Sequence, residues 1–399
     1  MVKREKYLDT LLYWREKKVI KVISGVRRCG KSTLLKEYIE KLKESGVKNE
    51  QIISVNLENL EFERLSNYAT LYEYIKSRLY PNGWTYIFID EIQQCKNFEK
   101  VVDSIFLNDN ADIYITGSNA YMLSGELATL LSGRYIKIDV LPFSFKEYFT
   151  ACGKNNQNSS EIFFDYIKNG SFPYVPEIKN NKAQTEKYIE GVYNTILLKD
   201  VAQREKITDI SLLENIVRFL ADSQGSPVSV KKITDALNSS GRKVSINTVD
   251  TYIHALVESY IFYKVDRFDV KGKMLLKTLG KYYIIDTGMR NYLVLSNSAD
   301  LGHILENIVY FELLRRYTKV NIGKLDDTEI DFVVKNNEGL AYYQVAATAL
   351  DENVLERELR PLKKLSDNYP KYLLTLDRAF GEDNFSGIKR MNIVDWLLD

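Results

Sequence analysis

Positions 25–33 read Gly25-Val26-Arg27-Arg28-Cys29-Gly30-Lys31-Ser32-Thr33, between the apolar run VIKVIS (19–24) and TLLKEYIEKL (33–42), whose apolar residues recur at helical spacing. This is G-x-x-x-x-G-K-[ST] in a strand–turn–helix setting, and no other feature of the chain narrows the fold as far. The glycines let successive main-chain N–H groups turn inward around phosphate oxygens, where a side chain would collide. The amino end of the following helix adds a favourable dipole. Lys31 is expected to reach the β- and γ-phosphates of a nucleotide, and Ser32 Oγ to ligate Mg²⁺. Arg27 and Arg28 raise the local positive potential. A helix amino end can depress a thiol pKa, but Cys29 reads more simply as a small loop residue.

Such a cradle needs a parallel sheet behind it. IISVNL (52–57), YIFID (86–90), DIYIT (112–116) and YIKIDV (135–140) are near-continuous apolar runs separated by helical stretches. That is the pattern of parallel strands covered on both faces, so residues 1–142 are expected to form an α/β core. Residues 1–18 read as an amphipathic helix, with Leu8, Leu11, Leu12 and Trp14 on one face. The run YIFID ends in Asp90-Glu91. Ligands collect beyond the carboxyl ends of parallel strands, so Asp90 is expected near Mg²⁺ and Glu91 suits the polarising of an attacking water. Ser118 and Asn119 follow DIYIT and are placed to sense the γ-phosphate. Arg134 is a candidate arginine finger, acting on its own cradle or on that of a neighbouring subunit.

Beyond the core, residues 143–203 carry helical signals interrupted by the polar stretch GKNNQNSS (153–160), and are expected to form a helical lid. Residues 204–292 hold three helical segments (212–223, 230–240 and 246–259) before the basic, alternating stretch 260–286, the order of a winged helix. Over 211–290 there are 12 Lys+Arg against 8 Asp+Glu, a small local excess in a chain of 399 residues with net charge +1. Residues 300–399 read as a second, smaller α/β unit. Balanced charge excludes a polybasic protein, and 12% aromatic residues do not fit a disordered chain. No apolar run reaches the roughly 20 residues that span a bilayer, and the charged amino terminus lacks the apolar block of a secretory signal. Cys29, Cys95 and Cys152 lie far apart with no paired spacing. A cytoplasmic protein without membrane contact is expected.

The segments GVRRCGKS, YIFIDE, ITGSN, LLSGRY and LPFSFKEY (141–148) together resemble a prokaryotic branch of AAA-type P-loop ATPases. The resemblance extends to GSFPYV (170–175), ILLKDV (196–201), LENIVYFELLRR (305–316) and TEIDFVV (328–334), and so covers nearly the whole chain. It implies ATP and Mg²⁺ as ligands, with Gly25–Ser32 binding nucleotide, Asp90 and Glu91 positioning metal and water, and Ser118 and Asn119 sensing. It also implies a winged-helix module after the ATPase and a C-terminal domain similar to restriction-endonuclease-like folds.

A nuclease of that kind uses a helix acid, a strand Asp and an acid-x-Lys on the next strand. Glu306 and Asp331 match the first two positions, but the third reads Gln344-Val345-Ala346. Two charges and no lysine make a weak site for a hard cation, so this domain is expected not to cleave. The leading expectation is an ATPase whose Mg-ATP cycle switches the attached domains on a partner. That partner could be DNA without sequence specificity or another protein, and the chain could oligomerise. The alternatives are a nucleotide-responsive binding protein with negligible turnover, or an ATP-dependent nuclease.

Overall fold

The computed structural model describes residues 2–120, 133–153, 158–294, 301–336, 339–378 and 384–399. The Leu-Leu-Ser of LLSGRY and residues 154–157 of the polar stretch lie outside the described residues. The chain divides into two compact units, Met1–Pro142 with Glu258–Tyr260, and Phe143–Val257 with Ile261–Asp399.

In the first unit the apolar runs form β1 (Ile20–Ser24), β2 (Ile52–Asn56), β3 (Thr85–Asp90), β4 (Ala111–Gly117) and β5 (Tyr135–Asp139). They pair in parallel in the order β2-β3-β4-β1-β5. Val22, Ile23, Ile87, Ile89, Ile113 and Ile115 are almost fully buried, so both faces of the central strands are covered. Helix α1 (Glu5–Tyr13) buries Leu8 and Leu11 and stops short of Trp14, and α2 (Lys31–Glu44) buries Leu34, Leu35, Tyr38 and Leu42. Lys21 is the one charge inside β1, and it is buried. It pairs with Asp112 of β4 and donates to the Lys17 carbonyl at 2.9 Å, as a buried ammonium must find partners.

In the second unit the helices Ile210–Asp222, Val230–Ser239 and Ile246–Glu258 lie close to their expected spans. The basic stretch that follows forms the antiparallel hairpin β6 (Phe262–Asp269) and β7 (Met274–Ile284). This hairpin is not a free wing. β6 pairs in parallel with β8 (Val320–Leu325), so the hairpin becomes one edge of an eight-stranded sheet. The other members are β9 (Thr328–Asn336), β10 (Gly339–Val345), β11 (Lys371–Thr375), β12 (Asn384–Phe385) and β13 (Ile388–Asn392), in the order β12-β13-β11-β10-β9-β8-β6-β7. A domain boundary between 292 and 300 therefore cuts one continuous sheet. Residues 143–203, read as a lid, fall within this second unit.

Candidate functional site

The parallel register gathers the expected groups at one end of the first sheet. Ser24 of β1 stands beside Gly117 of β4 and Asp139 of β5, and Asp90 of β3 beside Asn56 of β2. The turn after β1, the acidic pair Asp90-Glu91 that closes β3 and Ser118-Asn119 after β4 therefore lie at the same, carboxyl edge of the sheet.

Within the turn, Gly25 packs against the chain leaving β5, where a Cβ would fall 2.1 Å from the Val140 carbonyl oxygen. Only glycine fits there. Gly30 has φ +103° and Arg28 φ +69°, so left-handed residues bend the turn before α2 begins at Lys31. Val26 and Cys29 are buried, Ser32 is half-buried, and Arg28 and Thr33 are exposed. Burial raises the Cys29 thiol pKa despite nearby Lys31 and Arg4, which fits a small packing residue and not a reactive thiol. Arg27 pairs with Glu58 at 2.8 Å. Arg4, not anticipated from the sequence, is buried under the turn. Its guanidinium donates to the Cys29 carbonyl at 3.1 Å and the Leu141 carbonyl at 2.9 Å, tying the turn to the chain that leaves β5.

Lys31 is almost fully buried and donates to the Gly25 carbonyl at 2.9 Å and the Val26 carbonyl at 3.3 Å. Its ammonium also lies 3.7 Å from Glu91 Oε1. Asp90 is fixed from both sides, accepting from Thr116 Oγ1 at 2.5 Å and from Asn56 Nδ2 at 3.1 Å. Glu91 adopts a left-handed conformation, φ +53°, held by a 2.9 Å bond from its N–H to Thr116 Oγ1. A non-glycine residue in that region is strained and needs such support. Ser118 and Asn119, which follow β4, are buried. Together these groups bring one buried lysine and two carboxylates, Asp90 and Glu91, to the same edge of the sheet.

Arg134 does not join them. Its carbonyl accepts from the Ile20 N–H at 2.8 Å, at the start of β1, so it lies about 13 Å down the strand from Ser24 at 3.3 Å per residue. Its guanidinium pairs with Asp103 and sits 5.8 Å from the Phe106 ring. The reading of Arg134 as a finger for its own cradle is therefore corrected.

The second unit gathers its own charged cluster. Glu306, on the helix Leu301–Arg316, accepts from Lys281 Nζ of β7 at 2.8 Å and from Tyr283 OH at 2.5 Å. Lys281 also pairs with Glu329 of β9 at 2.8 Å. Asp331 Oδ2 accepts from the Val345 N–H at 2.8 Å, and Gln344 Nε2 donates to Glu358 at 3.0 Å. Burial, reinforced by Glu306, pushes the Asp331 carboxyl well above its ordinary range. Burial alone would lower the Lys281 pKa, but Glu306, Asp331 and Glu329 outweigh it and raise it. Position 346 is alanine, and the cation among these acids is Lys281 of β7. Among the described residues no group of three His, Cys, Asp or Glu is arranged to hold a metal ion, and no helix is long and apolar enough to cross a membrane.

Residues 17–149 match the family described as an AAA domain, and residues 160–301 a domain of unknown function (DUF8612). An uncharacterized protein of Haemophilus influenzae is 38% identical over 100% of this chain and 99% of its own length. The uncharacterized protein MJ1544 of Methanocaldococcus jannaschii is 32% identical over 86% of this chain and 78% of its own. The Walker-type ATPase PABY2304 of Pyrococcus abyssi superposes with a TM-score of 0.54 at 16% identity, over 73% of this chain and 96% of that one, a likeness of fold alone.

Proposed function

We propose that this chain, which belongs to one family with the uncharacterized Haemophilus influenzae protein and carries an AAA domain over residues 17–149, binds Mg-ATP at Gly25–Thr33 and hydrolyses it with Glu91. The observation that carries this reading is the convergence of Lys31, Asp90 and Glu91 at one sheet edge. The residues present fit the ligand: left-handed Arg28 and Gly30 bend the turn ahead of the helix amino end, and the ammonium of Lys31 is held by carbonyls it can exchange for phosphate oxygens. Ser32 and Asp90 would hold Mg²⁺, which when bound neutralises charge on the phosphate oxygens. Lys31 binds the β- and γ-phosphates, Ser118 and Asn119 register the γ-phosphate, and Glu91 accepts a proton from the attacking water. Arg134, remote from this cradle, would act as a finger only on the cradle of another copy.

Nucleotide turnover would then drive the second unit on its partner. DNA bound without sequence preference is one such partner, and the exposed Lys264, Lys271 and Lys273 of the β6–β7 hairpin support it. ATPase turnover measured with and without DNA of several forms tests this. Glu91→Gln should lower kcat about 10²- to 10⁴-fold while ATP affinity persists. A wild-type turnover no higher than that of Glu91→Gln would leave the runner-up, a nucleotide-responsive binding protein.

One observation favours a cleaving second unit: Lys281 stands between Glu306 and Glu329. We read the cluster as non-cleaving, because the Lys281 ammonium already bridges two of the acids a metal would need. Nicking of supercoiled plasmid with Mg²⁺ or Mn²⁺ that disappears in Glu306→Gln would overturn that reading.

A further inference from the structure

The carboxylate read above as the base is itself gripped by a residue that has no role so far. Gln93 lies in the short turn Ile92–Gln94 directly after β3. Its Nε2 donates to Glu91 Oε2 at 2.5 Å and reaches Ser118 Oγ at 3.4 Å. Its Oε1 is buried with no hydrogen-bond donor among the described residues. On the other side of the carboxylate, Glu91 Oε1 lies 3.7 Å from Lys31 Nζ. The two oxygens therefore have different keepers, an amide for one and an ammonium for the other.

We propose that Gln93 is the positioning residue for Glu91, holding one carboxylate oxygen so that the other faces the attacking water once Lys31 turns to the phosphates. The chemistry of an amide suits this task. A lysine at 93 would form an ion pair and quench the base, whereas a second carboxylate would repel it. A neutral N–H donor fixes the orientation and leaves the charge available. Gln93 Oε1, an acceptor still without a donor, is suited to take the second hydrogen of the same water. The link to Ser118 places the amide in contact with the segment read as sensing the γ-phosphate.

This inference rests on the hydrolysis reading, and the experiment separates the two. In the full chain, Gln93→Met keeps the side-chain length and removes both polar atoms, and Gln93→Glu replaces the donor by an acceptor. Steady-state ATPase assays and equilibrium binding of ATP and ADP are measured for each. Gln93→Met should lower kcat roughly ten- to a hundredfold, as misplacement of a catalytic group does, and Gln93→Glu at least as much. Affinities for both nucleotides should stay within about twofold, since only transition-state geometry is lost. In a Glu91→Gln background Gln93→Met should cause no further loss, because the residue it positions is already disabled. An unchanged kcat, a fall in affinity parallel to kcat, or an equal loss in the Glu91→Gln background would each overturn the inference. A wild-type chain that binds ATP without turning it over defeats the hydrolysis reading and this inference together. A wild-type chain that turns over while Gln93→Met matches it defeats this inference alone.

Discussion

Lys31 and Lys281 are both almost fully buried beside carboxylates, yet they are held by different kinds of partner. Lys31 rests on two main-chain carbonyls, with its nearest carboxylate oxygen at 3.7 Å. Lys281 makes 2.8 Å contacts with two carboxylates at once. Neutral carbonyls release an ammonium to a stronger anion. Two carboxylates do not, because its departure would strand buried negative charge. On the proposed reading the first lysine is the one free to exchange its partners for a ligand, and the second is fixed in place. Burial alone does not separate a binding lysine from a structural one; the charge of what it would leave behind does.

The sharpest way to break this contrast is to remove the fixed lysine. Lys281→Met leaves Glu306 and Glu329 without their cation and should destabilise the protein by about 3–5 kcal/mol, the usual cost of breaking a buried pair from one side. Urea denaturation followed by circular dichroism measures it, and a loss under about 1 kcal/mol would mean the cluster is open to water.

A smaller effect is expected on the exchangeable side. Thr116→Val removes the hydroxyl that donates to Asp90 and accepts from the Glu91 N–H, at a cost of about 1–3 kcal/mol. It should also lower kcat, because Glu91 loses the bond that holds its left-handed backbone. Full ATPase activity in a destabilised Thr116→Val would show that this bond supports only the fold.

The smallest change concerns pH. The Asp331 carboxyl keeps its proton to higher pH in the folded chain than in the unfolded one. The folded state therefore binds more protons from about pH 4 up to that raised value, and its stability falls across this window as pH increases. Asp331→Asn should flatten that slope and change stability near pH 4 by less than about 1 kcal/mol. Melting curves from pH 4 to 8 that decline equally in both proteins would remove Asp331 as the cause.

What the sequence made readable follows the range of the interactions involved. The central strands β1, β3 and β4 were readable because each is an apolar run buried on both faces, and the turn at 25–30 because its motif is contiguous. Strand β8 was not: VNIGKL has no sustained alternation, and Gly323 serves to admit the Val333 and Ile330 side chains, where a Cβ would fall within 2.7–3.0 Å. Nor does a hairpin sequence say whether its outer edge will be free or paired, so β6 read as part of a wing until β8 appeared beside it. Lys281 read as one more basic residue of the hairpin, and its burial against Glu306 could not be seen because Glu306 lies 25 residues away and on a different element. Arg4 and Gln93 carry no motif at all, and their roles come from the hydrogen bonds they make in the folded chain. Arg134 shows the converse, since a conspicuous arginine after a glycine says nothing about which end of the sheet it will occupy.

The account depends on the exchangeability of Lys31. Titration calorimetry of ATP into the full chain with Mg²⁺, compared with Lys31→Ala, tests it most directly. We predict saturable uptake by the wild type and an affinity at least about tenfold weaker in Lys31→Ala, a loss of roughly 1.4 kcal/mol or more. No uptake by the wild type, or equal affinity in the two proteins, would contradict the account.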